Sequence, residues 1–220
     1  PHYCLEEVAT HTLSLILACE RRVCQFNNGV KAGGWDYDSE GPIRRLSTKT
    51  VGVIGCGDIG LEVVKRLDGF DVDILGYDPY VSGEEMSQYG IRKADFDALC
   101  ENSDVITVHT PLTESTRDLI DASAFESMEP GVTVINAARG GIIDQEALCD
   151  AIESGTVAYA GLDVFEDEPP QDDRLLEFDT VIATPHAAWY SADALAELQR
   201  QAGENVAAFI RGETPEYVVN

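Results

Sequence analysis

Val51-Gly52-Val53-Ile54-Gly55-Cys56-Gly57-Asp58-Ile59-Gly60 decides the fold. The apolar run Val51–Ile54 has the length and character of a buried strand. It ends in Gly-x-Gly-x-x-Gly, and Ile59–Leu67 then carries apolar residues at helical spacing. Strand, glycine turn and helix in that order open a βαβ unit that binds a dinucleotide. Gly55 permits the tight turn, Gly57 lets the backbone approach a pyrophosphate, and Gly60 lets helix and strand pack closely. The helix start at Asp58 and Ile59 turns free N–H groups and a positive dipole end toward the phosphates. A second strand, Val72–Tyr77, follows, with Asp78 at its end, 18 residues past Gly60. A carboxylate there accepts hydrogen bonds from ribose hydroxyls and repels a 2′-phosphate, so the spacing predicts NAD rather than NADP. No Gly-Lys-Ser/Thr follows, which excludes a P-loop.

The pattern continues outward from this unit. Val105–His109, Val132–Asn136, Val157–Leu162 and Val181–Ala183 read as further short apolar strands. Helical or irregular segments fall between them at 83–90, 95–101 and Asp144–Glu153. Such alternation predicts a doubly wound parallel sheet with helices on both faces. Upstream, residues 5–26 read as one helix and 27–47, with Asn27-Asn28-Gly29, Gly33-Gly34 and Gly41-Pro42, as loop. Residues 191–211 read as a closing helix with Leu195, Leu198, Ala202, Val206 and Phe209 on one face.

The chain has 220 residues, with 40 acidic against 15 basic side chains and a formal charge of −25. The acids are scattered rather than gathered in a tail (Glu6, Glu7, Asp36, Asp38, Asp71, Asp73, Asp95, Asp97, Asp172, Asp173), so the expectation is a uniformly acidic surface suited to high salt. That charge argues against nucleic acid as a partner, whose binding needs clustered Lys and Arg. The longest apolar stretch, near Leu13–Ala18, is too short to cross a membrane. The first residues carry no secretory signal pattern, so a cytoplasmic location is expected, and the absence of an initiator Met suggests an N-terminal truncation. Six cysteines do not make a disulfide framework in a chain of this kind. His2, Cys4, His11, Cys19 and Cys24 match no zinc spacing, and no metal is expected. His2 and His11 carry no further signal, and His109 reads as structural.

Three ionisable residues lie near the ends of predicted strands or in the loops after them, where open parallel sheets bind ligands. Arg139 stands in Asn136-Ala137-Ala138-Arg139-Gly140-Gly141. Glu168 stands in Asp163-Val164-Phe165-Glu166-Asp167-Glu168-Pro169-Pro170. His186 stands in Thr184-Pro185-His186-Ala187-Ala188-Trp189-Tyr190-Ser191. An Arg clamp, a histidine and a carboxylate to hold it make a plausible proton-transfer set.

The segments GCGDIG, YDPY, VHTPLTESTRDLI, NAARGGIIDQEAL, GLDVFEDEPP and TPHAAWYS, in this order and spacing, resemble the D-isomer-specific 2-hydroxyacid dehydrogenases over nearly the whole chain. The ending HAAWYS is most similar to the branch that holds the C-terminal-binding-protein corepressors; phosphoglycerate, glycerate and lactate dehydrogenases are other members. The resemblance implies NAD-dependent interconversion of a D-2-hydroxy acid and a 2-oxo acid. It implies that Arg139 binds the substrate carboxylate and carbonyl oxygen, that His186 is the acid/base, and that Glu168 pairs with His186 and keeps it protonated. Gly55, Gly57, Asp58, Ile59, Gly60, Asp78, Thr110, Pro111, Ala137, Ala138 and Arg139 would bound the cofactor, with Asp163 and His186 at its nicotinamide end. Trp189 would wall the substrate pocket. It further implies a smaller, flavodoxin-like substrate domain mostly missing at the N-terminus, and a homodimer. On that plan residues 1–26 are an inter-domain and dimerisation helix, 27–190 the NAD-binding domain, and 191–220 a helix returning toward the substrate domain. The alternative is an NAD(H)-sensing interaction module of the corepressor type. The retained Arg139, Glu168 and His186 favour the enzyme, since a sensor needs none of them.

Overall fold

The computed structural model describes residues 2–39, 41–171 and 174–215; Asp172, Asp173 and the end of the expected 191–220 span at 216–220 lie outside them. The chain opens with α1 (Leu5–Glu20) and α2 (Val23–Lys31). The dinucleotide unit follows as β1 (Thr50–Ile54), α3 (Asp58–Leu67) and β2 (Asp73–Tyr77). Next come α4 (Gly83–Ser87), β3 (Arg92–Lys93), α5 (Phe96–Asn102), β4 (Val105–Val108) and α6 (Ala122–Ser127). Then follow β5 (Val132–Asn136), α7 (Gln145–Ser154), β6 (Val157–Leu162), β7 (Val181–Ala183) and α8 (Ala192–Ile210).

Seven parallel strands form one sheet in the order β3-β2-β1-β4-β5-β6-β7. β4 and β5 are buried at every residue and β1 at all but its first, as expected of strands covered on both faces. One core cluster lies on each side of the sheet. The strand order reverses between β1 and β4, the place where a doubly wound sheet opens a crevice at the carboxyl ends of its strands.

One expectation needs correction, and two further features add detail to the sequence reading. The helix expected over 5–26 is two helices, broken at Arg22, whose φ of 56° is left-handed. There the Arg22 guanidinium lies 3.6 Å above the Tyr159 ring and its Nη1 donates to the Cys19 carbonyl at 2.9 Å. That stacking turns the chain before α2 resumes and runs through Asn27-Asn28-Gly29 to Lys31, inside the expected loop. Second, α8 is present as expected; its buried residues are Ala194 and Gln201, and Leu195, Val206 and Phe209 of the apolar face are exposed. Third, β3 and α6 interrupt segments that carry no strand or helix period. α6 starts where Asp121 accepts a hydrogen bond from Ala124 N–H.

α1 lies across the sheet against α3, β5 and β6, burying Val8, Ala9, Thr12, Leu15, Ile16 and Cys19. Among the described residues, no helix is long and apolar enough to cross a membrane.

Candidate functional site

The loop after β1 builds the cofactor side. A Cβ on Gly60 would sit 2.2 Å from the Gly55 carbonyl oxygen, so the α3 start closes on the turn only with glycine there. Gly57, by contrast, faces open space on its Cβ side. Asp78, at the end of β2, accepts from Cys56 N–H at 3.0 Å, Tyr80 N–H at 2.8 Å and Val81 N–H at 3.3 Å. Those bonds fix the carboxylate at the mouth of a cavity of about 480 Å³ that Gly55, Gly57, Thr110 and Pro111 also line. The open space beside Gly57 and the fixed Asp78 carboxylate could hold the phosphate and ribose of a dinucleotide. Asp58 lies at the exposed first turn of α3, 3.3 Å from His2.

His109, Thr110 and Pro111 also line a second cavity of about 740 Å³. Ile59, Ala137, Ala138, Arg139, Asp163, His186 and Trp189 complete its wall. Gly60 and Glu168 stand behind these walls, one packing the turn and the other holding His186. The two cavities therefore share a border, and together they form a trough along the carboxyl edge of the sheet.

Asn136, the buried last residue of β5, shapes the Arg139 turn: its Nδ2 donates to the Arg139 carbonyl at 2.9 Å and its Oδ1 accepts from Ala138 N–H at 3.0 Å. The Arg139 side chain is exposed, with Nη1 donating to the Ala138 carbonyl at 2.6 Å. Gly140 then meets the loop after β6 backbone to backbone, since a Cβ there would stand 2.0 Å from the Phe165 carbonyl carbon.

In the loops after β6 and β7, Glu168 Oε2 and His186 Nδ1 meet at 2.6 Å, both side chains more than a third exposed. Phe165 N–H donates to the other carboxylate oxygen at 3.1 Å. Partial burial opposes ionisation of Glu168, but the hydrogen bonds from His186 and Phe165 and the charge of Arg139 outweigh it and hold the carboxyl below its ordinary range. A carboxylate accepting from Nδ1–H leaves Nε2 as the nitrogen free to exchange a proton. Asp163 is fully buried and its carboxylate accepts from Thr184 Oγ1, Ala187 N–H and Ala188 N–H.

Sequence reading missed several contributors. Tyr3, Cys4 and Val8 of the α1 end line the larger cavity, and Tyr3 stacks edge-on to Trp189 with centroids 6.3 Å apart. Burial raises both the Tyr3 hydroxyl and the Cys4 thiol above their ordinary pKa values. The His109 ring, which bonds Thr107 Oγ1 at 3.0 Å, is desolvated and pushed down to about 4. His11 reaches Thr184 from α1. The signal available for Asn136 was its place at a strand's carboxyl end; for Tyr3 and His11, whose partners lie more than 170 residues away, the sequence carried none.

Fold and trough together define a Rossmann-type dinucleotide-binding domain with a hydrogen-bonded His186–Glu168 pair at one end of the trough. Residues 13–188 match the family described as D-isomer specific 2-hydroxyacid dehydrogenase, NAD binding domain, and the chain belongs to that family, whose cofactor is NAD. It is 44% identical over 213 residues to a D-3-phosphoglycerate dehydrogenase of Archaeoglobus fulgidus, covering 96% of this chain and 40% of that protein. It is 42% identical over 200 residues to a hydroxypyruvate reductase of Thermotoga maritima, covering 89% and 62%. The fold superposes on a D-lactate dehydrogenase of Aquifex aeolicus, solved with NAD and lactic acid, at a TM-score of 0.91 and 35% identity, covering 97% of this chain and 68% of that one. The chain thus spans about 40% of the length of the D-3-phosphoglycerate dehydrogenases it matches.

Proposed function

We propose that this chain supplies the cofactor site and the acid–base machinery of an NAD-dependent dehydrogenase that interconverts a D-2-hydroxy acid and a 2-oxo acid. The observation that carries the reading is the 2.6 Å contact between His186 Nδ1 and Glu168 beside Arg139, at the end of a trough that begins at Asp78. NADH bound there supplies the hydride to the 2-oxo carbon. Arg139 pairs with the substrate carboxylate and orients the carbonyl. As negative charge grows on the carbonyl oxygen, His186 Nε2 gives it a proton, and Glu168 holds the ring by Nδ1–H throughout. The product is the 2-hydroxy acid, and in the reverse direction His186 Nε2 takes the proton back. Trp189 and Tyr3 wall the side of the cavity where the substrate's variable group lies. Thr110, Pro111, Ala137 and Ala138 bound the nicotinamide half, and Asp163 sets the loop that carries His186.

The test is NADH-linked reduction of hydroxypyruvate and pyruvate, and NAD-linked oxidation of D-3-phosphoglycerate. Arg139→Lys loses the two-pronged contact, so KM for the oxo acid should rise at least about tenfold with KM for NADH unchanged. Unchanged oxo-acid KM would remove Arg139 from the substrate site.

The partner reading is a homodimer, with its contact placed at the C-terminal end of the 5–26 span and the residues that follow. α1 spends its apolar face on the sheet. Val23, Val30, Trp35 and Tyr37, just beyond it, are exposed. Residues 21–49 also hold six of the fifteen Lys and Arg against three acids, leaving nine bases against thirty-seven acids elsewhere. A cationic, aromatic segment fits the acidic body of a second copy. Light scattering in molar salt should give twice the chain mass, and Trp35→Ser should lower it; a monomer at every concentration would contradict this. The exposed side of α8 is assigned to the substrate domain implied by the greater length of the relatives.

A further inference from the structure

His186 occupies an unusual backbone conformation. Its φ of 52° lies in the left-handed region, which a non-glycine residue keeps only where its surroundings impose it. The groups around it come chiefly from one residue, Asp163. Asp163, buried at the end of β6, takes Ala187 N–H on one oxygen at 2.9 Å and Ala188 N–H on the other at 2.8 Å, while its carbonyl takes His186 N–H at 2.8 Å. The same Oδ1 that accepts from Ala187 accepts Thr184 Oγ1–H at 2.5 Å.

A threonine hydroxyl has a single hydrogen, and here Asp163 takes it. The ring nitrogen that meets Thr184 Oγ1 from outside must therefore be a donor. That nitrogen is His11 Nε2, on α1, at 3.0 Å from Thr184 Oγ1 and 3.6 Å from Asp163 Oδ1. The donors run in one direction: His11 Nε2–H to Thr184, Thr184 O–H to Asp163, with Asp163 receiving the loop amides. A second side-chain bond ties the same two parts of the chain, from Ser191 Oγ to Glu7 on α1 at 2.7 Å. α1 also contributes Val8 to the cavity wall beside His186.

We propose that His11 is a positioning residue for His186: by donating through Thr184 to Asp163 it sets the 184–188 loop and couples α1 to the acid/base side chain. The idea rests on His186 being the acid/base. His11 touches neither substrate nor cofactor in this account, and it acts only on where the loop sits.

His11→Leu keeps bulk and removes the donor; His11→Gln restores a donor at similar reach. Two readouts serve: steady-state reduction of the oxo acid, and hydrogen exchange of the Ala187 and Ala188 amides, which needs no turnover. His11→Leu should lower kcat by about ten- to a hundredfold, since small misplacements of a catalytic group cost that much, with KM for NADH within about twofold. It should also speed exchange at both amides by at least about tenfold, and His11→Gln should recover both readouts to within about threefold. Thr184→Val should mimic His11→Leu, with the double variant no worse than either single one. Gln as impaired as Leu, or a lowered melting point with kcat and exchange unchanged, overturns the proposal. If the parent reduces no oxo acid, the dehydrogenase reading fails separately, and unchanged exchange in His11→Leu still overturns the loop assignment.

Discussion

Asp78 and the His186–Glu168 pair bear the chemical assignments, and each has its own test. Asp78 is held by three backbone N–H groups, so its carboxylate has little freedom to move aside for a 2′-phosphate. NADH should bind at least about tenfold more tightly than NADPH, a gap of about 1.4 kcal/mol, and Asp78→Ala should narrow it. Fluorescence titration of both cofactors checks this, and tighter NADPH binding would refute it. Two residues are shifted downward for different reasons, His109 by desolvation and Glu168 by its hydrogen bonds and nearby positive charge, and their acid windows differ. His109 is pushed down to about 4 by desolvation, so the unfolded chain binds its proton first. Stability from that source is intact above about pH 6.5 and falls as pH drops toward 4. Glu168 lies below the ordinary glutamate value, so its share is intact above about 4.3 and is lost only as pH falls further, through its folded value. Melting temperatures from pH 7 to 3 should show His109→Gln flattening the first window and Glu168→Gln acting only in the second. At this scale the spacing of Asp78 from the glycines was readable, because local geometry dictates it. The roles of Asn136, Thr184 and His11 were not, because each depends on a loop whose course is set by distant partners.

Among elements, strands and the longer helices were legible because burial on both sheet faces leaves mostly apolar runs, as in Val105–Val108 and Val157–Leu162. The α1–α2 break was hidden, since apolar spacing continues past Glu20 and the stacking of Arg22 joins residues 137 positions apart. α8 was legible as a helix, but periodicity marks an apolar side without saying what covers it, and Leu195, Val206 and Phe209 are exposed. The contact of the loops after β5 and β6 is the element-level feature that brings Arg139 near Glu168. Gly140→Ala must push those backbones apart, because its Cβ would fall 2.0 Å from the Phe165 carbonyl carbon. Denaturant unfolding should show a loss of about 1–3 kcal/mol, with activity falling more than at a surface glycine such as Gly69. A neutral Gly140→Ala would mean the two loops are not packed as described.

For the whole molecule, charge dominates. With a formal −25 on 220 residues, self-repulsion is strong when screening is weak; the Debye length shrinks from about 30 Å at 0.01 M salt to about 3 Å at 1 M. Melting temperature should climb steadily from low salt to molar KCl, and a flat profile would contradict the expected adaptation to high salt. The ion pairs of Arg174 with Glu146, Asp150 and Glu153 and of Arg200 with Glu197 and Glu204 still leave most of the forty acids without a cation among the described residues.

The most direct measurement of the central claim is single-turnover oxidation of NADH by a 2-oxo acid, comparing the parent with His186→Ala across pH. A positioned proton donor is worth roughly 10²–10⁴ in rate, so the variant should slow by that factor while NADH binds within about twofold of the parent. A His186→Ala rate within about threefold of the parent at every pH, under 1 kcal/mol in barrier, would contradict the assignment of His186 as the acid/base.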